Sequence, residues 1–138
     1  MANKVLITGG AQRIGKALVK HFHQIGWNIV FQYRSSKSEA ESIKNELNSD
    51  RAESCEIIQC DFDDNVSCKL FYEELESKLE GLTSLINNAS TFYPKVTDGL
   101  LAGATNELKK LRFKYDLFKV NGSLEIPVQI SILLKKKK

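Results

Sequence analysis

The amino-acid sequence predicts an α/β fold, a doubly wound parallel sheet. Three observations predict it. Short β-branched runs alternate with longer helical patterns, four such strand–helix units follow one another, and the first strand enters its helix through a glycine-rich turn. Four units in a row predict the strand order 3-2-1-4 with right-handed crossovers. In such sheets ligands bind at the carboxyl ends of the strands where the order reverses, here between the first and fourth strands.

The elements follow in order. "KVLIT" (Lys4 to Thr8) reads as a buried strand. A helix follows, with Ile14, Ala17, Leu18, Phe22 and Ile25 on one face and Gly26 as its stop. "NIVFQY" (Asn28 to Tyr33) is the second strand. Ser38 to Asn48 form a polar amphipathic helix that turns Ala40, Ile43 and Leu47 inward. "CEIIQCDF" (Cys55 to Phe62) is the third strand. Its helix starts at a cap supplied by Asp63 or Asp64 and runs to Glu80, ended by Gly81, with Glu74 and Lys78 as an i,i+4 pair. "TSLINNAS" (Thr83 to Ser90) is the fourth strand with its exit loop. A loop runs through about Gly103, and a last long helix starts near Thr105.

The length of 138 residues fits one modest domain, residues 1–138, and 42% hydrophobic with 27% charged residues is ordinary globular composition. The net charge of +3 is concentrated in Lys135 to Lys138; removing those four from the 20 basic residues leaves 16 against 17 acidic ones. The body therefore has no basic stripe for phosphate backbones, and no nucleic-acid partner is expected. Three cysteines (Cys55, Cys60, Cys68) form no C-x-x-C pair and fit a cytoplasmic chain with reduced thiols. His21 and His23 lie about 200° apart around a helix and cannot share a metal on one face. No apolar run approaches a membrane span, so no membrane partner is expected.

"TGGAQRIG" (Thr8 to Gly15) joins the first strand to the first helix. It is not G-x-G-x-x-G, yet Gly9 and Gly10 permit a positive-φ turn and Gly15 permits close helix–strand approach. The helix N-terminus then offers N–H groups to a pyrophosphate. A bland glycine turn from strand to helix is the competing reading. After the fourth strand comes "NNASTFYP" (Asn87 to Pro94).

Together these stretches resemble the short-chain dehydrogenase/reductase family, which carries T-G-x-x-x-G-x-G after its first strand and N-N-A-G after its fourth. Thr8, Gly9 and Gly15 match, while Arg13 stands for the middle glycine and Ser90 for the last one. Both departures are similar to the pteridine reductase branch. The resemblance covers almost the whole chain and implies an NAD(P)-binding Rossmann fold. It implies a cofactor set of Thr8, Gly9, Gly10, Arg13, Ile14 and Gly15 in the first loop. Arg34 and Ser35 would follow the second strand, Asp61 and Phe62 the third, and Asn87, Asn88 and Ala89 the fourth.

The second strand ends "QYRSS" without the acid that an NAD-selective site uses on the ribose diol. A guanidinium about 4 Å from a phosphate charge gains roughly 4 kcal/mol at an effective dielectric near 20, before desolvation. NADP(H) is therefore the expected cofactor, with Arg34 a solvated loop arginine on the alternative reading. Asp61 lies beside the adenine by resemblance, or serves as a helix-capping acid. By resemblance Ser90 hydrogen-bonds a pterin and Phe92 stacks on it, a sensible use of offset aromatic faces. Phe92 and Tyr93 beside Pro94 would equally pin a surface loop.

The family's chemistry uses a tyrosine, a lysine four residues later, an upstream serine or aspartate and a helix asparagine. Tyr115 and Lys119 match that spacing, and so do Tyr33 and Lys37. Tyr33 closes a strand, and Tyr115 lies in an apolar stripe with Leu108, Leu111 and Phe118, so neither pair is read as catalytic. Asn121 matches the relay asparagine by position, although Pro127 follows at an unusual spacing. The chain is expected to stop at Lys138 before the fifth strand and the catalytic helix, as a truncated or frameshifted gene product, inert by itself and with an aggregation-prone apolar edge. The expected activity is an NADPH-dependent reductase acting on a dihydropterin or a similar small C=N or C=O substrate. A 3-oxoacyl reductase and a non-catalytic NADP-binding regulator or scaffold are the alternatives. Homo-oligomerisation is expected of a full-length form.

Overall fold

The structure is a computed structural model, which describes residues 2–78 and 80–89 and, beyond these, Ala102, Thr105, Asn106, Lys109 and Lys110. Backbone proximity divides the chain into two units, Met1–Ala89 and Ser90–Lys138. The first unit contains β1 (Lys4–Ile7), α1 (Arg13–Gln24), β2 (Asn28–Tyr33), α2 (Lys37–Asp50), β3 (Cys55–Gln59), α3 (Asn65–Glu76) and β4 (Leu82–Ile86). In the second unit the five described residues have helical backbone, and Thr105 Oγ1 donates to the Ala102 carbonyl at 3.2 Å. The expected last helix otherwise lies outside the described residues, as do Tyr115, Lys119 and Pro127.

The four strands are parallel in the order β3-β2-β1-β4, as the pattern of units predicts. The fold is thus the expected α/β, Rossmann-like sheet. β1 and β2 are the two inner strands, each paired on both sides; in β2, Val30 lies beside Leu6 and Glu56. Alternation sends Leu6, Val30 and Ile58 to one face, where they pack with Cys60 and Phe71 of the α3 layer. Val5, Ile7, Ile29 and Phe31 belong to the other face; Phe31 is fully buried. Truncating such a side chain to alanine costs roughly 3–5 kcal/mol. β4 is different: it pairs only with β1 among the described residues, slips register between Lys4 and Val5, and leaves Leu85 48% exposed.

Two expectations about the helices need correction. In α1 the buried residues are Gly15, Leu18, Val19, Phe22 and His23, whereas Ala17 and Ile25 are exposed. The helix is rotated because Gly15 lets it approach the first turn closely and because His23 Nε2 meets Ser54 Oγ at 2.8 Å. α3 stops at Glu76 rather than Glu80. The Ser77 hydroxyl donates to the Glu74 carbonyl at 2.7 Å, and Lys78 N–H bonds the Leu75 carbonyl at 2.8 Å, a tight turn that ends the α-helical ladder. Gly81 still takes a positive φ of 75°, but as the entry to β4. At the start of α3 the cap is Asp64, whose side chain accepts the N–H groups of Val66 and Ser67. Among the described residues no helix is long and apolar enough to cross a membrane.

Candidate functional site

The loops at the carboxyl ends of the strands are fastened to one another by short-range polarity. Thr8 N–H donates to the Ile86 carbonyl at 3.0 Å, continuing the β1–β4 pairing by one residue. Its buried hydroxyl donates to Asn87 Oδ1 and accepts Ala89 N–H, both at 3.0 Å. Asn88 Nδ2 donates to the carbonyls of Thr8 (3.1 Å) and Gly9 (3.2 Å). The two loops singled out by the strand order are thus brought together, and Asn88 is used to hold the glycine turn.

The glycines are there because no Cβ fits. Gly9 sits at φ 67°. A Cβ on Gly10 would lie 2.6 Å from Cβ of Phe31, and one on Gly15 would overlap the Gly9 carbonyl oxygen. Behind this turn α1 follows Gln12 as its N-cap residue, with no side-chain cap and no acid in its first turn. The first backbone bond into the helix runs from Lys16 N–H to the Gln12 carbonyl at 3.2 Å. Among the described residues the N–H groups of Arg13, Ile14 and Gly15 meet no backbone carbonyl, as the first turn of a helix dictates, and such a terminus is a natural seat for an anion. These residues fit a dinucleotide diphosphate: a backbone cradle that side chains would fill, followed by the positive dipole end of a helix without a side-chain cap.

Arg13 carries a feature that the sequence did not announce. Its backbone φ is 49°, the left-handed region where glycine costs nothing and other residues cost roughly 1–2 kcal/mol. The position demands glycine geometry, and an arginine tolerates it. Arg13 is exposed and has no ion pair among the described residues. Ile14 is half-buried beside it.

The ends of β2 and β3 form the second corner. Arg34 and Ser35 are exposed. Arg34 Nε lies 3.0 Å from Asp61 Oδ2 and its Nη2 lies 3.2 Å from Asp63 Oδ2. The residue expected at a phosphate and the residue expected at adenine are therefore partners of each other. Asp61 also accepts Asp63 N–H at 3.0 Å on Oδ1, and its own N–H donates to Ser67 Oγ at 2.9 Å. Helix capping is left to Asp64. Phe62 is half-buried, edge-on to Phe71.

Burial pushes the Cys55 thiol up to about 12 and the Cys60 thiol up to about 11, so neither is a nucleophile at neutral pH. His21 is exposed and His23 is buried against Ser54; among the described residues no cluster of His, Cys, Asp or Glu could hold a metal ion. Ser90, Phe92 and Asn121 lie outside the described residues. One residue of the site escaped the sequence reading. Gln32, buried near the carboxyl end of β2, accepts the Gly9 N–H; its only signal was a polar letter in an apolar run.

With this geometry in view, the sequence was compared with known proteins. A family model described as short chain dehydrogenase matches residues 3–121. A dihydromonapterin reductase from Enterobacter sp. (strain 638) is 33% identical over 88 residues, covering 64% of this chain and 34% of the relative. Pteridine reductase 1 of Leishmania tarentolae is 30% identical over 107 residues, covering 64% and 37%. A 3-oxoacyl-[acyl-carrier-protein] reductase of Staphylococcus aureus is 29% identical over 89 residues, covering 64% and 36%. The chain spans about a third of the length of these relatives. Matched over most of its length and carrying the glycine turn locked to an N-N-A loop, the chain belongs to the short chain dehydrogenase family.

Proposed function

We propose that the chain forms the nucleotide-binding core of an NADPH-dependent reductase acting on a dihydropterin or a comparable small C=N or C=O compound. The observation that carries this reading is the β1–α1 junction, where a turn closed to side chains precedes an uncapped helix end. The family binds nicotinamide cofactors, and the bound reduced cofactor would supply a hydride. The chain's own residues grip and select. Arg13, Ile14 and Gly15 present N–H groups to the diphosphate, and Asn88 and Gln32 hold the turn that aims them.

A preference for the 2′-phosphorylated form is supported by charge. No acid ends β2, Arg13 has no ion pair among the described residues, and the Arg34 pairs with Asp61 and Asp63 are largely solvent-facing, so loosening them costs about 0–1 kcal/mol. A phosphate can displace such partners. The substrate class draws support from the two pterin-reducing relatives. By family position Ser90 and Phe92 would line the substrate side and Asn121 would support proton relay. The unlinked cysteines fit a reducing cytoplasm.

A second reading, reduction of a 3-oxoacyl thioester, is favoured by the similar identity of the Staphylococcus aureus relative. Calorimetric titration of the NADPH-saturated chain with a 7,8-dihydropterin and, separately, with a 3-oxoacyl thioester separates the two. The proposal expects the pterin to bind only after NADPH and the thioester not to bind. The reverse pattern would favour the second reading.

A further inference from the structure

We propose that Gln32 is a positioning residue for the nucleotide, one side chain that sets the diphosphate turn and the adenosine-side strand end relative to each other. The inference rests on reading the site as a dinucleotide site. Gln32 lies on β2, an inner strand of the sheet, and is 2% exposed. An amide buried there is costly unless its atoms are bonded, and methionine or leucine would fill the space without that demand. Both polar atoms are bonded, to opposite sides. Oε1 accepts Gly9 N–H at 2.9 Å, and Nε2 donates to the Cys60 carbonyl at 2.7 Å. The main-chain carbonyl of Gln32 accepts Gly10 N–H at 2.9 Å.

These contacts have a directional consequence. The N–H groups of Gly9 and Gly10 are both committed to Gln32, so they are withdrawn from the ligand and the turn is fixed at its first two residues. The donors left for a diphosphate therefore lie further along the chain, toward and at the α1 terminus. At the other end the same amide pins Cys60, the residue before Asp61, while Cys60 N–H bonds the Tyr33 carbonyl at 2.9 Å. Gln32 thus touches no ligand and acts through the turn. Its partners are 23 and 28 residues away in sequence, on β1 and β3 sides respectively.

The test uses the full chain with Gln32→Met and Gln32→Glu, and two probes: NADPH, and adenosine 2′-monophosphate, which lacks the diphosphate. Gln32→Met removes both amide bonds at similar volume. Measured where circular dichroism reports the folded state, it should weaken NADPH about tenfold or more, as expected for losing a buried hydrogen-bonded brace, and should move adenosine 2′-monophosphate far less. Gln32→Glu replaces the amide by a carboxyl that, when protonated, can accept Gly9 N–H and donate to the Cys60 carbonyl. Its NADPH affinity should approach wild type near about pH 5.5 and fall toward about pH 8 as the carboxyl ionises. NADPH affinity in folded Gln32→Met within about twofold of wild type, or equal losses for both probes, overturns the positioning role. Where Gln32→Met does not fold, a Gln32→Glu affinity that is flat with pH overturns it. A wild-type chain that binds no NADPH overturns the proposed function instead, and the positioning role with it.

Discussion

The diphosphate end of the proposed nucleotide site and its ribose end are held by different forces. Around Gly9 the fixing contacts are neutral hydrogen bonds in buried or half-buried settings: the Thr8 hydroxyl, the Asn88 amide and the Gln32 amide. Around Arg34 they are ion pairs, with the guanidinium side chain 57% exposed. Buried neutral bonds define a shape that salt cannot screen. Exposed ion pairs define a charge balance that salt, pH or a ligand's own phosphate can rewrite. On the proposed reading, grip on a dinucleotide rests mainly on geometry at one end, and choice between its forms draws on exposed charge, Arg34 at the other end and Arg13 beside the turn.

The largest effect should come from breaking the rigid end. Gly15→Ala puts a methyl group into the Gly9 carbonyl oxygen, backbone that cannot step aside. Overpacking of this kind costs about 1–3 kcal/mol. Urea unfolding should report that loss, and NADPH binding should disappear from nicotinamide fluorescence. Arg13→Gly separates fold from function at one position. Relief of the left-handed backbone should raise stability by about 0.5–1 kcal/mol, against the added flexibility of glycine. NADPH should bind about tenfold more weakly, since a cation beside the anion seat is lost.

At the soft end the expected changes are smaller. Asp63→Asn removes one of the two carboxylates that hold Arg34. Stability should move by less than about 0.5 kcal/mol. NADPH should bind about two- to threefold more tightly in low salt, with NADH unchanged and the gain screened near about 0.5 M salt. The smallest effect on binding lies at the opposite ends of the strands. Burial, and then the Arg51 charge, hold the His23 imidazole below its usual pKa. A folded-state pKa below the unfolded value near 6.5 means that stability is intact above about pH 6.5 and falls as acid protonates the buried ring. Urea midpoints should drop from about pH 7.5 to about pH 5.5, less steeply in His23→Gln, while NADPH affinity per folded molecule stays constant.

How much of this was legible follows from where each signal resides. β2 was readable to the residue because its apolar run is local, and the order of strands followed from the succession of units. Ala40, Ile43 and Leu47 were readable as the inward face of α2 because helical spacing is local too. The rotation of α1 was not, because it depends on a close approach at Gly15 and on a hydrogen bond from His23 to a residue 31 positions away. The end of α3 was misjudged because Gly81 advertised a stop and Ser77 made an earlier one. At the site, the glycine turn and the Asn87–Ala89 loop were legible as motifs. The roles of Asn88 and Gln32 were not, since their partners lie across the sheet. Arg13 concealed the glycine-like backbone that its position requires, and Arg34 concealed two acids that sequence distance kept apart.

The most direct measurement is an amide proton–nitrogen correlation spectrum of the labelled chain during titration with NADPH. The account predicts that the Arg13, Ile14 and Gly15 amides shift most, because at the start of α1 they meet no carbonyl among the described residues, and that Gly9 and Gly10, already bonded to Gln32, shift little. Saturable binding with those three amides unmoved, or no saturable binding at all, would contradict it.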